Sequence, residues 1–385
     1  MKVLHQVGHN YNWNLASLAD DSAGDGLILS PVNMSASIVG NLNSSLLSES
    51  FLDPQLYLPH DAKGKLKTYP YFPEVAAPNW ISQNYDEVVA NSASLCCRAQ
   101  ADLGLGYSVI PIRYQADIGS SYFQELADCM VEPFLEEWET TDKAPLLLTI
   151  IVKRLQLLDE QHRNELLNWI TSYPDLTGVY LIFEATQEAK QIKDATYLYQ
   201  CMRLIRSLSE SGLETHVGYT NTESALYAAV GATSVAMGAY ENVRRFSIKR
   251  FVDEIKKGGG GPTPRLYMSN LFQWVAHGYL GAMETLYSDW DDIQDITSYQ
   301  IALFTPTFQW HFTKPELYKH YFSVYSEQVK EIADAEDPLG FLENSVDLAR
   351  EKFSALLESG VVLDGDSDGS HLSHWKTAIN MYRAT

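Results

Sequence analysis

The sequence predicts an α/β protein, a (β/α)8 TIM barrel with a C-terminal acidic helical extension. Eight apolar, mostly β-branched runs recur within about 260 residues, close to the usual size of such a barrel. Each run is followed by a helix-like segment. The runs are continuous rather than alternating, as expected of strands covered on both faces. With 385 residues, 45% hydrophobic and 12% aromatic, the chain is long and apolar enough for a barrel plus an appendage. Residues 1–283 are therefore assigned to the barrel, and 284–385 to an acidic, mainly helical extension packed on or beside it.

In chain order the strand runs are 26–31 (GLILSP), 51–57 (FLDPQLY), 107–111 (YSVIP), 146–152 (LLLTIIV), 178–184 (GVYLIFE), 215–219 (THVGY), 233–238 (TSVAMG) and 265–269 (RLYMS). Between them, 159–173 starts acidic and keeps Leu166, Leu167 and Ile170 on one side. Residues 189–213 form a long amphipathic segment ended by Gly212. The clearest unit is Thr215 to Arg245: a strand to Tyr219, Thr220 and Asn221 as caps, a helix over 223–230, Gly231 as its stop, and a second strand. Pro59, Pro70, Pro73 and Pro78 mark 58–79 as a long loop over the barrel mouth, and Gly258–Gly261 as a flexible break.

Charge and cysteine content exclude several classes. The net charge is −21, and from Glu284 to Thr385 eighteen acidic residues face seven basic ones, so the extension repels nucleic acid. Arg244, Arg245, Lys249, Arg250, Lys256 and Lys257 instead form a local basic ridge, either a phosphate-holding surface or a solvated helix face. Cys96, Cys97, Cys129 and Cys201 have no metal-binding spacing and read as buried thiols. No cofactor or metal is expected: the His5/His9 and His371/His374 pairs lack a third ligand, and DGDSDG at 364–369 lacks the glutamate of a calcium loop. No apolar run reaches membrane-spanning length, and the start lacks the apolar middle of a secretory signal, so the cytoplasm is the expected address.

Barrel chemistry sits where strands exit at the C-terminal face. That rule nominates Asp53 and Gln55, Arg113, Lys153 and Arg154, Glu184, His216 and Tyr219, Glu241, Asn242 and Arg244 after the seventh run, and Ser269 and Asn270 after the eighth, with Tyr240 or Tyr219 as a stacking surface. Asp53 and Glu184 are the catalytic candidates, because two carboxylates across a mouth can divide nucleophile and acid/base work. A turn cap for Asp53 and a salt bridge for Glu184 remain the alternatives, as does a core role for His216.

The unit GYTNTESALYAAVGATSVAMGAYENVRR resembles the late strands of the tRNA-guanine transglycosylases, through Thr222 and Glu223 at the helix start, Gly231, Tyr240, and Arg244 with Arg245. FLDPQLY is similar to the family's strand ending in D-S-G-G-F, with Asp53 at the aspartate. The resemblance implies exchange of guanine for a 7-deazaguanine through a covalent nucleoside intermediate, Asp53 being the assisting acid. It also places Ala236 at the nucleophile, puts Pro54 and Gln55 where the family has a serine-glycine run, and leaves the zinc cluster without counterparts.

The function expected is thus binding of a nucleobase or nucleoside, including a 7-deazaguanine, in nucleic-acid modification of the kind found in bacterial antiviral operons. Asp53 and Glu184 would be the working carboxylates, with Glu184 or Glu241 replacing the lost nucleophile. Gln55, Lys153, Arg154, His216, Tyr219, Tyr240, Asn242 and Arg244 would contact substrate. Nucleic acid along Arg244–Lys257 and a basic protein against the acidic extension are the macromolecular partners implied; a membrane is not. The other readings are a catalytically retired barrel serving as a protein-binding factor, and a sugar or small-metabolite hydrolase using two carboxylates.

Overall fold

The computed structural model describes residues 1–61, 63–79, 85–116, 119, 121–184, 190–252 and 261–385. Eight strands, β1 (Lys2–Gln6), β2 (Gly26–Leu29), β3 (Phe51–Leu52), β4 (Ser108–Ile110), β5 (Leu146–Val152), β6 (Gly178–Phe183), β7 (Glu214–Gly218) and β8 (Ser234–Gly238), form one sheet. Its order is β3-β2-β1-β8-β7-β6-β5-β4, and every pair is parallel. The two edge strands meet. Gly106 N donates to Ser50 O (3.0 Å) below the seam, and Tyr114 N donates to Tyr57 O (2.8 Å) above it, so the sheet is a nearly closed barrel.

Two strand assignments need correction. The first barrel strand is Lys2–Gln6, a run not counted among the eight, and it pairs with both β2 and β8. Its polar residues are accommodated on both sides. His5 points into the helical layer, its Nε2 donating to Ala23 O (2.6 Å) and its Nδ1 accepting from Asn14 (3.0 Å), while Gln6 reaches the barrel interior. The eighth run, by contrast, is not in the barrel: β9 (Arg265–Met268) turns through Ser269–Leu271 into β10 (Gln273–Ala276) and forms an antiparallel hairpin. The mouth loop is also more ordered than its prolines suggest, with short helical turns at Leu66–Thr68 and Pro73–Ala76 and with Tyr69, Tyr71 and Phe72 buried. Of the glycine run 258–261, only Gly261 is among the described residues.

The helical layer follows the sequence signals closely. Asp159 caps Glu160–Thr171 by accepting from His162 N (3.0 Å), and Asp194 caps Ala195–Glu210 by accepting from Tyr197 N (3.0 Å). Helix Pro315–Asp334 packs between Tyr11–Asp20 and Ser224–Ala229 and against β1, the outer-layer place that a helix after β8 would hold. Helices Pro338–Glu358 and Ser370–Arg383 pack on each other, and the latter lies on Ala195–Glu210. Among the described residues no helix is long and apolar enough to cross a membrane. All four cysteines are free thiols, three of them buried.

Strand approach is tight where glycine allows it. A Cβ on Gly178 would stand 2.3 Å from Glu214 O, between strands whose register pairs those two residues. Gly178→Ala is expected to lower the unfolding free energy by about 1–3 kcal/mol, because the obstacle is backbone and cannot swing aside. Urea denaturation measures it, and a change under about 0.5 kcal/mol would show that the β6–β7 ladder yields more easily than its geometry implies.

Candidate functional site

At the C-terminal end of the barrel, β3 is only two residues long and leads directly into Asp53, whose N–H continues the ladder to Leu29 O (3.0 Å). Pro54 then ends pairing, since it has no N–H to give. Gln55 follows in the left-handed region (φ 55°), which curls its side chain back beneath the mouth. There its Oε1 accepts from Val32 N (2.9 Å), and its Nε2 donates to Asp53 Oδ2 (3.2 Å). Across the barrel Tyr219, the residue after β7, is left-handed as well (φ 53°). Positive φ in non-glycine residues is costly and collects at functional sites.

Asp53 is fully buried, and tyrosine hydroxyls converge on it. Tyr219 donates to Oδ2 (2.6 Å), Tyr57 donates to Oδ1 (2.6 Å), and Tyr180 stands at 3.4 Å. Burial pushes its carboxyl above the usual range, and the hydrogen bonds from Tyr219, Tyr57 and Gln55 together with Arg250 oppose that shift without cancelling it. Three of the sequence candidates, Asp53, Gln55 and Tyr219, are therefore one hydrogen-bonded cluster.

The loop after β8 seals this cluster. Phe246 and Phe251 are buried, and Tyr57 packs edge-on against both (5.3 and 4.9 Å between ring centroids). Phe246 also covers Tyr219 (5.4 Å). Arg250 lies over the Tyr219 ring (5.5 Å) and donates to Asn242 O (2.9 Å), while Lys63 ties the loop down through Val252 O (2.7 Å).

Glu184 belongs to a different set. It accepts from Tyr114 (2.8 Å), and its backbone bridges to Phe246. Tyr57 and Tyr114 both contact Phe246, so that ring stands between the partners of the two carboxylates, which share no hydrogen-bond donor among the described residues. Lys153 lies over the Tyr114 ring (4.5 Å) and donates to the carbonyls of Gln115 and Ala116. Arg154 is paired with Asp194 (2.6 Å), where it steadies a helix cap. His216 sits low in the barrel: Nδ1 accepts from Ser234 (2.9 Å), Nε2 donates to Glu214 at the start of β7 (3.1 Å), and Tyr107 and Phe51 cover the ring (4.8 and 5.7 Å). Ala236 lies buried on β8, its carbonyl accepting from Thr220 (2.6 Å).

Two open clefts flank the sealed cluster on the β8 side. One, of about 650 Å3, is lined by Lys63, Lys190, Arg244, Arg245, Lys249 and Arg250, with Glu241 as the single acid among the described residues. The described part of the basic ridge is thus gathered at the mouth; Lys256 and Lys257 lie outside the described residues. The other cleft, of about 700 Å3, is aromatic, with Trp13, Tyr240, Trp274, Phe312 and Tyr318 on its walls. Tyr240 accepts from Asn10 (2.8 Å) and packs on Trp13 and Tyr318 (5.8 and 5.0 Å). Asn242 and Arg244 line both clefts.

Arg244 is the unusual group. It is 6% exposed, its guanidinium lies 3.9 Å from the Trp274 ring centroid, and its Nε and Nη1 have no hydrogen-bond partner among the described residues. A small cavity of about 20 Å3, lined by Lys190, Tyr219, Thr220, Glu223, Arg244 and Arg245, lies between the cationic cleft and the Asp53 cluster. Glu223 escapes a search confined to strand-end residues because it stands one turn later, at a helix start. Lys63, Lys190, Trp13 and Trp274 escape it too, since their contribution depends on loops and a hairpin from distant parts of the chain. Among the described residues no three His, Cys, Asp or Glu side chains converge as metal ligands.

Comparison with known proteins adds little to this geometry. No family model matches the chain, and no curated protein does. Among solved structures, dihydrodipicolinate synthase from Oceanobacillus iheyensis matches at 10% identity over 82% of this chain and 84% of that one, with a TM-score of 0.25. At that score the match carries no argument, and the barrel assignment stands on the strand order and parallel register.

Proposed function

We propose that the protein binds a phosphorylated compound bearing a planar ring, of the nucleoside monophosphate class, across the two clefts at the C-terminal mouth. The observation that carries this reading is Arg244, a buried guanidinium with unused donors on the border between a six-cation cleft and an aromatic one. An unpaired buried charge is expensive to keep, and an anion would supply the missing partner. The position supports it: barrels often hold phosphate between the loops after their seventh and eighth strands, which here contribute Asn221 and Asn242 to Arg250. The aromatic walls would take the ring.

The nucleobase or nucleoside expected from the sequence is the ring half of such a ligand, a 7-deazaguanine being one member of the class. Titration calorimetry with guanosine 5′-monophosphate, guanosine, 7-deazaguanine and inorganic phosphate tests the reading. The monophosphate should bind best, and its affinity should fall as salt rises. Absence of heat from all four at millimolar concentration would overturn the proposal.

The retired-barrel reading draws on a different observation, the sealing of Asp53 under Phe246 and Phe251. Base exchange through Asp53 would require that loop to move.

A further inference from the structure

Glu223 precedes helix Ser224–Ala229 and is 5% exposed. Its Oε1 accepts from Asn221 N (3.0 Å), while its Oε2 has no hydrogen-bond partner among the described residues. It lines the same small cavity as Arg244 and Arg245, which opens toward the cationic cleft through their shared walls. A buried acceptor, Glu223 Oε2, and two buried donors of Arg244, none with a partner among the described residues, thus face one space next to the place proposed for the phosphate.

The groups around Glu223 come from five elements. Arg244 and Arg245 approach from the loop after β8, and Lys190 from the segment before helix Ala195–Glu210. Tyr197 and Cys201 on that helix and Tyr227 on the short helix of Glu223 lie within electrostatic range, as do Tyr321 and Tyr325 on Pro315–Asp334. Among the described residues the other acid of the cleft is Glu241, which is already ion-paired to Lys190 (2.7 Å), so Glu223, with its unpartnered Oε2, is the carboxylate placed to take a proton.

We infer that Glu223 is the proton-exchanging residue of this anion site: as a phosphate dianion settles against Arg244 and Arg245, Glu223 takes one proton from solvent at Oε2. The inference rests on the ligand class proposed above. No covalent bond forms or breaks. A carboxylate left ionised beside a phosphate in a dry site would repel it strongly. Protonation removes the repulsion and converts Oε2 from an acceptor into a donor that can hold a phosphate oxygen. The uptake is cheap near neutrality, because burial already raises the Glu223 carboxyl to about 7 against the opposing pull of Asn221 and the two arginines.

The sign follows directly. At pH 8 the free protein holds Glu223 largely ionised and the phosphate, with a second pKa of about 6, is a dianion. Binding should therefore draw up to about one proton, and affinity should fall by up to about tenfold per pH unit above neutrality.

Calorimetry of guanosine 5′-monophosphate at pH 8, in buffers of different ionisation enthalpy, reads the uptake on the unaltered protein. Glu223→Gln should bind with almost no uptake and a flat affinity between pH 7 and 9. Binding by the wild type without proton uptake would overturn the role of Glu223 and leave the anion site standing. No binding by the wild type would overturn the ligand class, and this inference with it.

Discussion

Arg244→Met is expected to cost at least about 30-fold in affinity for guanosine 5′-monophosphate while leaving the fold as stable as before or more so. Both halves come from the same facts. The guanidinium is buried against Trp274, with two of its nitrogens unpartnered among the described residues. Hydrogen bonds from a charged donor are worth roughly 1.5–3 kcal/mol, and only a ligand makes these. For the protein alone, burial opposes the charged form and lowers the pKa of Arg244, so its charge is a burden on the apo fold.

Methionine has similar reach and a thioether that packs well on an aromatic face. The unfolding free energy should stay level or rise by about 1–2 kcal/mol, as happens when uncompensated buried charge gives way to apolar side chains. Calorimetry and urea denaturation read the two halves separately. Retained affinity would remove Arg244 from the binding site. A loss of more than about 3 kcal/mol in stability would make it a structural residue, held by its place over Trp274.

The second large effect is expected from Phe246→Ala. Phe246 is fully buried and touches Tyr57, Tyr114, Tyr219 and Phe251, so its removal leaves a cavity at the centre of the mouth. Truncations of this kind cost about 3–5 kcal/mol. Because Tyr57 and Tyr219 hold Asp53, loss of their cover should also admit water to the carboxyl. Asp53 would then titrate nearer the usual carboxylate range, since burial is the main cause of its raised pKa. Carbodiimide modification of Asp53, followed by peptide mass mapping, should be detectable in the variant and absent in the wild type. A stability loss below about 1 kcal/mol with no modification would show that Phe246 does not seal the cluster.

These two residues show where sequence reasoning ran out. Phe246 lies in a basic stretch, RRFSIKR, whose charges read as a solvated or phosphate-holding surface and give no sign that the ring among them is buried. Its role depends on the loop folding inward over Tyr57 and Tyr219, which stand 189 and 27 residues earlier in the chain. Arg244 was nominated by its position after a strand. Its partner Trp274, however, sits on β10, in a hairpin whose first strand passed for a barrel strand because RLYM is as apolar as its neighbours. Conversely Lys2–Gln6 does not read as a strand from sequence, because Lys, His and Gln dilute its apolar pattern. In the fold His5 is satisfied by Ala23 and Asn14, and the Oε1 of Gln6 accepts from the Tyr180 hydroxyl and the Tyr219 N–H.

By itself the sequence determined the class of fold, because continuous apolar runs separated by capped amphipathic helices can be buried only in a parallel sheet covered on both faces. It also placed Asp53, Gln55, Tyr219, Tyr240, Asn242 and Arg244 at strand exits, since that depends on local order along the chain. Only the tertiary structure decided which of them meet. Asp53 and Tyr219, 166 residues apart, are joined by a hydrogen bond, whereas Asp53 and Glu184 are kept on separate partners with Phe246 between those partners. Contacts across a barrel mouth are set by closure of the sheet and by the path of its loops, and no local pattern encodes either.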